Sequence, residues 1–364
     1  MNVLALLTDG VGASGGIARF NQDLLSALTE MSSVERIFVL SRYGSPSARS
    51  AGKLIPAPVT SGRAAWALRA CGLALRNRID IIFCGHIYAA PLAAGLARLT
   101  GAHLWIQTHG IEAWERPGAQ IMRATGQADL VTAVSRYTRR RLLGWSNLPP
   151  ERVRVLPNTV RKGYDIRPRR DDLMRRYNTA GRKLILTVGR ISKSERYKGH
   201  DRIIAALPFV AKQCPSVAYL IVGSGDDIPR LEVQALRLGV RDRVIFAGHV
   251  TEDELPDHFA LADVFAMPST GEGFGIVFLE AAKSGLFVIG GSCDGSVDAL
   301  ANGSIGCLID PNEQSSLIAA LIAGLETNRL ANPKQVERFE FENFAKHVNE
   351  LVKSLRLAQK HLSK

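Results

Sequence analysis

Residues 268–285 read PSTGEGFGIVFLEAAKSG. The apolar run DVFAMPS (263–269) leads into this stretch, and LFVIGG (286–291) follows it. Each run has the length of one buried strand. Between them, Gly273-Phe274-Gly275 opens a helix. Strand, helix and strand in that order form a crossover unit of a parallel sheet. Two carboxylates mark the unit. Glu272 stands in the loop after the strand, and Glu280 follows eight residues later inside the helix. At about 100° per residue they lie on neighbouring faces, about 12 Å apart along the axis if both were helical. Glu272 can meet a ligand at the helix mouth, where backbone N–H groups have no intrahelical partner. Glu280 is embedded in an apolar run, so it is expected to be buried and to need a partner.

The same alternation extends in both directions. In the second half, KLILTVG (183–189), AYLIVGSG (218–225), RVIFAGHV (243–250) and GCLID (306–310) complete a series of strands with helices between most of them. One helix is expected to begin with a capping box at Thr251-x-x-Glu254. In the first half, VLALLT (3–8), RIFVLS (36–41), DIIFCG (80–85), HLWIQTH (103–109), LVTAVS (130–135) and VRVLPN (153–158) form a second series. The polar, basic and aperiodic segment 159–173 reads as a linker. The expected class is therefore α/β, with two Rossmann-like, doubly wound parallel-sheet domains facing a cleft. Residues 1–160 form the first, 161–340 the second, and ligands sit at the carboxyl ends of the strands.

The composition agrees with two packed domains. Of 364 residues, 46% are hydrophobic, enough for real cores. The five cysteines, at 71, 84, 214, 293 and 307, are scattered without a C-x-x-C. That spacing fits neither a zinc site nor a disulfide framework, and it fits a reducing compartment. No basic leader precedes the apolar residues 2–8, and arginines break the stretch 63–78 that comes nearest to a membrane span. A cytoplasmic protein is expected. The net charge of +12 is uneven, +9 over residues 1–160 and +3 over the rest. A basic first half favours an anionic partner or simply a solvated basic surface.

Countercharge for an anion stands in LTVGRISKSERYKGHD (186–201). Arg190 follows a strand directly, and Lys198 precedes Gly199 at the start of the next helix. A fork-shaped and a point-like cation at one strand end suit a diphosphate. Lys193 and Arg196 are rivals for that role. His109 ends a strand before Gly110 and is a candidate for a cleft-facing side chain, with His86 the weaker choice. No D-x-D, Walker A, G-x-S-x-G or H-E-x-x-H occurs, so no metal site is expected.

At the amino terminus, TDGVGASGGIARF (8–20) contains Gly10-x-Gly12-x-x-Gly15, the spacing of a dinucleotide turn. The second strand ends at Ser41-Arg42 without the ribose-binding acid, although an arginine suits a 2′-phosphate. An NADP-dependent oxidoreductase is thus the alternative from another class. The glycines also suit any anion that must approach a helix N-terminus closely, with Gly15-Gly16 as the working pair.

Taken together, the chain resembles retaining glycosyltransferases of the GT-B fold, glycosyltransferase family 4. The motifs that carry the resemblance are Glu272-x7-Glu280 in GEGFGIVFLEA, VGR…YKG (188–199), IVGSG (221–225), FAGHV (246–250), GASGGIARF, AVSRYT (133–138) and VLPN (155–158). The resemblance implies a metal-independent transfer of a glucose- or mannose-type hexose from a UDP- or GDP-sugar. The implied acceptor is a saccharide or polyprenyl-diphosphate-linked saccharide, as in polysaccharide or glycolipid biosynthesis, and no nucleic acid is a partner. Arg190 and Lys198 would take the donor diphosphate, and Glu280 the ribose. Glu272, Gly273, Phe274 and Gly275 would hold the donor sugar, with His109 beside it. Gly15 and Gly16 would approach the diphosphate from the first domain. Gly223, Ser224, Gly225, His249 and Val250 would flank the base. Arg136 and Tyr137 are acceptor candidates on the basic half, which would contact an anionic membrane at the inner face of the plasma membrane. A GT-B protein that binds or epimerises sugar nucleotides without transfer is a third reading. Two features depart from the family pattern: the long interval from Arg190 to Lys198, and Thr159 after Pro157-Asn158 where glycine is common. The resemblance also implies that the helix of about 341–364 returns to the first domain.

Overall fold

The structure is a computed structural model, and it describes residues 1–9, 15–43, 52–60, 62–327 and 333–362. The chain divides into two compact units, Met1–Thr159 with Phe341–Lys364, and Val160–Glu340.

The first unit carries seven strands among the described residues: β1 (Asn2–Asp9), β2 (Arg36–Tyr43), β3 (Leu54–Pro56), β4 (Ile81–Cys84), β5 (His103–Thr108), β6 (Leu130–Ala133) and β7 (Val153–Val155). All pair in parallel, in the order β3-β2-β1-β4-β5-β6-β7. Residues Val3 to Leu7 of β1 are wholly buried, because helices cover a parallel sheet on both faces. The helix Ala90–Thr100 lies close to the sheet through small side chains, Ala90, Ala93, Ala94 and Ala97. The terminal helix Phe341–Leu362 packs on the helix Gly16–Glu30, where the Phe344 ring meets the Phe20 ring edge-on at 5.6 Å. Edge strand β3 is absent from the sequence reading. It has three residues and ends in proline, which only an edge tolerates.

The second unit carries β8 (Lys183–Val188), β9 (Val217–Val222), β10 (Val244–Gly248), β11 (Val264–Met267), β12 (Phe287–Gly291) and β13 (Cys307–Ile309). Their order is β10-β9-β8-β11-β12-β13, again parallel. The order reverses between β8 and β11. Neighbouring loops diverge at such a point and leave room for a ligand beyond the carboxyl ends.

Two sequence expectations are corrected here. Segment 159–173 is not a bare linker. Tyr164 is buried against the Phe259 ring, and Arg161, Arg167 and Arg170 pair with Glu252 and Asp257 at 2.6–3.1 Å. The capping box at Thr251 does not form either. The helix starts later, at Leu255, and Glu254 makes no side-chain cap but accepts from Arg176 at 2.8 Å.

Candidate active site

The loops at the carboxyl ends of β8, β9, β11 and β12 are joined backbone to backbone. Gly223 follows β9 with φ +143°, and its N–H donates to the Gly248 carbonyl at 2.8 Å. A Cβ on Gly223 would stand 1.9 Å from the Gly189 carbonyl oxygen. A Cβ on Gly295 would stand 2.0 Å from that of Gly273. Only glycine permits these approaches. The loops can therefore place side chains without side chains of their own between them.

Arg190 and Lys198 both leave the β8 loop. Lys198 ends a 3-10 turn, Lys193–Lys198, and lies over Gly189. Its Nζ is 3.6 Å from Glu272 Oε1 and 3.3 Å from Glu195 Oε2. The Arg190 guanidinium pairs with the other Glu195 oxygen while remaining 81% exposed. Three of the residues from distant motifs, Arg190, Lys198 and Glu272, are thus brought together at the switch point, with Glu195 between the cations. The rival Arg196 does not share this position, because it donates to Asp227 at 3.0 Å.

Glu272 is fixed from behind by Asp294, which is 1% exposed. Asp294 Oδ2 accepts from the Glu272 N–H at 2.7 Å and from Ser269 Oγ at 2.7 Å, while Oδ1 accepts from the Ser296 N–H at 2.9 Å. The Glu272 carbonyl in turn accepts from the Gly295 N–H at 2.8 Å. Burial pushes both carboxyls above the ordinary range. Lys198 opposes this at Glu272, and the three hydrogen bonds oppose it at Asp294. Neither Glu195 nor Asp294 was singled out in the sequence. Asp294 lies in the glycine- and serine-rich turn GGSCDGS, and Glu195 lies among the cations of SKSERYKG. Those were the available signals.

Tyr197 packs its ring on Gly271, and burial holds its phenol well above the usual value. His200 is likewise buried, and burial lowers its pKa to about 4, so it adds no charge at neutral pH. The Phe274 ring is buried edge-on against Phe339 at 5.7 Å, so only its backbone can face a ligand. Gly275 caps the helix Ile276–Lys283 with φ +86°, and Glu280 is fully buried within that helix. The Gly223–Gly225 loop joins the β8 loop through Ile191 N–H to the Ser224 carbonyl at 3.0 Å. His249 and Val250 follow β10, and His249 is exposed.

In the first unit, Gly15 precedes the helix Gly16–Glu30 with φ +109°, and both glycines are exposed. Gly10 and Gly12 lie outside the described residues. His109 follows β5. Its Nε2 stands 2.9 Å from the Gly85 carbonyl, and its N–H donates to Glu112 at 2.5 Å. The Phe20 ring meets its imidazole edge-on at 5.3 Å, which ties His109 to the first turns of the glycine-led helix. His86 lies 6.3 Å away, ring to ring. Arg136 and Tyr137 open the helix Arg136–Leu143, where Tyr137 packs against Trp114 and under Arg140 and Arg141. Among the described residues, no group of three or more His, Cys, Asp or Glu is placed to hold a metal.

Glu272 gives a stability prediction. Its carboxyl pKa is raised above the ordinary 4.5, so the neutral form suits the folded state better than the charged one. Stability from this group is complete below the unfolded-state pKa and is lost as pH rises through the folded-state value. Glu272→Gln is therefore expected to melt about 2–4 °C above the wild type at pH 8. The gap should close below pH 4 in a pH series of thermal melts. An unchanged gap across that series would show that burial does not govern the carboxyl.

The model of glycosyl transferases group 1 matches residues 170–353, and that of glycosyltransferase family 4 matches residues 14–162. Among curated proteins, a GDP-mannose-dependent alpha-(1-6)-phosphatidylinositol monomannoside mannosyltransferase of Mycolicibacterium smegmatis is 35% identical over 256 residues, 64% of each chain. The chain thus matches somewhat under two thirds of that relative's length. A GDP-mannose-dependent monoacylated alpha-(1-6)-phosphatidylinositol monomannoside mannosyltransferase of Corynebacterium glutamicum is 31% identical over 75% of this chain and 72% of its own. Among solved structures, the Anabaena protein HepE in complex with UDP and glucose superposes with a TM-score of 0.78 at 21% identity, covering 97% of this chain and 99% of its own. At that identity the likeness is one of fold.

Proposed function

Because this chain belongs to the glycosyl transferases group 1 family and has the GT-B fold, we propose that it is a retaining hexosyltransferase that uses a nucleoside diphosphate sugar. The observation that carries the proposal is the meeting of Arg190, Lys198 and Glu272 at the switch point between β8 and β11. Breaking the bond between sugar and diphosphate leaves negative charge on phosphate. Two fixed cations stabilise that charge in the role a metal plays elsewhere. Glu272 and the N–H groups of Gly273, Phe274 and Gly275 hold the sugar, Glu280 takes the ribose, and Gly223–Gly225 with His249 and Val250 take the base.

The names of the mycobacterial and corynebacterial relatives favour GDP-mannose as donor and a glycolipid as acceptor. Two features of the first unit support an acceptor at an anionic membrane. Its sequence is strongly basic, and the helix Arg63–Arg76 exposes Leu68 and Leu75 beside Arg69 and Arg76. No helix among the described residues is long and apolar enough to cross a membrane. The oxidoreductase alternative gives Glu272, Arg190 and Lys198 no role and is not adopted.

Calorimetric titration with GDP and UDP, followed by turnover of GDP-mannose in EDTA, tests the reading. Tighter binding of GDP is expected, with an α-linked product formed at undiminished rate in EDTA. Binding of neither nucleotide, or a β-linked product, would overturn it.

A further inference from the structure

Among the described residues, Glu195 is the one carboxylate that touches both proposed diphosphate ligands. It sits at a kink inside the 3-10 turn Lys193–Lys198, with φ −118° and ψ 28°, and its N–H donates to the Ser192 carbonyl at 2.9 Å. Its side chain is only 11% exposed, yet its partner Arg190 is largely in water. The two oxygens face different cations: Oε1 takes the Arg190 guanidinium, and Oε2 stands 3.3 Å from Lys198 Nζ. One anionic group bridging a fork and a point charge is the arrangement expected of a bound phosphate. The eight-residue interval from Arg190 to Lys198 gives the turn the length to fold this acid back between them.

Both cations therefore have carboxylate partners within the chain itself, and Lys198 has a second in Glu272. The neighbouring basic groups do not change this balance. Arg196 is committed to Asp227, and His200 is neutral at pH 7. A diphosphate brought to Arg190 and Lys198 would meet the Glu195 charge a few ångströms away, where like charges repel strongly at reduced dielectric.

We propose that Glu195 is a resident counter-anion that competes with the diphosphate for Arg190 and Lys198. This rests on the reading of those two cations given above. The exposed Arg190 side chain exchanges its carboxylate partner for the ligand, and Glu195 recaptures it as the nucleoside diphosphate leaves. The acid thus weakens ground-state binding and speeds product release. No covalent step is involved.

The test is calorimetric titration of the full chain with inorganic pyrophosphate at low salt, where charge effects are least screened. Glu195→Gln keeps the shape and removes the charge. It is expected to bind pyrophosphate about tenfold more tightly than the wild type, while Arg190→Gln binds more weakly. A merely structural role predicts the opposite sign, since a scaffold lost from beneath the cations weakens binding. Equal or weaker binding by Glu195→Gln overturns the proposal. Glu195→Ala supplies a second readout. Formate should fill the vacated carboxylate place and compete with pyrophosphate in this variant and not in the wild type, and absence of that competition also overturns the proposal. If neither variant folds, Glu195 is a structural requirement and the proposal falls. If Arg190→Gln binds pyrophosphate as the wild type does, the cation reading itself fails and takes this inference with it.

Discussion

Arg190→Ala is expected to lower kcat for sugar transfer by about 10³-fold, at the upper end of what one preorganised charge donor contributes in other enzymes. The size follows from timing. The donor diphosphate carries much of its charge in the ground state, but the oxygen released from the sugar gains charge only as that bond breaks. An interaction that strengthens in the transition state appears in kcat rather than in KM. Stability should change little, because the Arg190 side chain is 81% exposed and Glu195 keeps Lys198 as its second cation. Thermal melts of the variant should therefore overlay those of the wild type while initial rates collapse. Loss of both fold and rate, or a rate within tenfold of the wild type, would exclude the assigned role.

Asp294→Ala should show the reverse pattern, a structural loss that then reaches the chemistry. One carboxylate satisfies the Glu272 N–H, the Ser296 N–H and the Ser269 hydroxyl inside a buried pocket. Deleting it leaves the two backbone donors without their acceptor, while the Ser269 hydroxyl keeps the Ser296 hydroxyl at 3.0 Å. Each buried unsatisfied donor costs about 1–3 kcal/mol. Release of the buried charge offsets part of that cost, since burial raises the Asp294 pKa. A net loss of about 3 kcal/mol would lower the melting temperature by roughly 6–12 °C. Glu272 is then no longer pinned through its N–H, so activity should fall even in the folded fraction at low temperature. Asp294→Asn retains an acceptor oxygen and should lie between. A melting temperature unchanged in Asp294→Ala would show that water replaces all three bonds.

The two glutamates of the 268–285 stretch and the cations of 186–201 were legible because their positions relative to strand ends follow from local pattern. A buried parallel strand leaves an apolar run, and the residue after it stands at the carboxyl edge. Both sheets were readable for the same reason, apart from β3, which is too short to show a pattern. What the sequence concealed depends on partners brought from elsewhere. Asp294 acts on groups 22 and 25 residues earlier. The order of 159–173 comes from Glu252 and Asp257, nearly a hundred residues later. Thr251 and Glu254 have the spacing of a capping box, but Arg176 engages Glu254 and the helix begins beyond it. Glu195 is visible in the sequence as one acid among four basic residues, yet its bridging geometry depends on a kink in a short turn that no periodicity announces.

The return of the helix Phe341–Leu362 to the first unit has a consequence for biosynthesis. A ribosome makes the first sheet early but delivers this covering helix only after the second unit. Phe20 cannot gain its contact with Phe344 until the whole of Val160–Glu340 has been translated. The intervening unit can finish folding first, since its stretch of chain is continuous. The earlier-made unit therefore waits with an apolar helix face open, and chaperone capture during synthesis should concentrate on it.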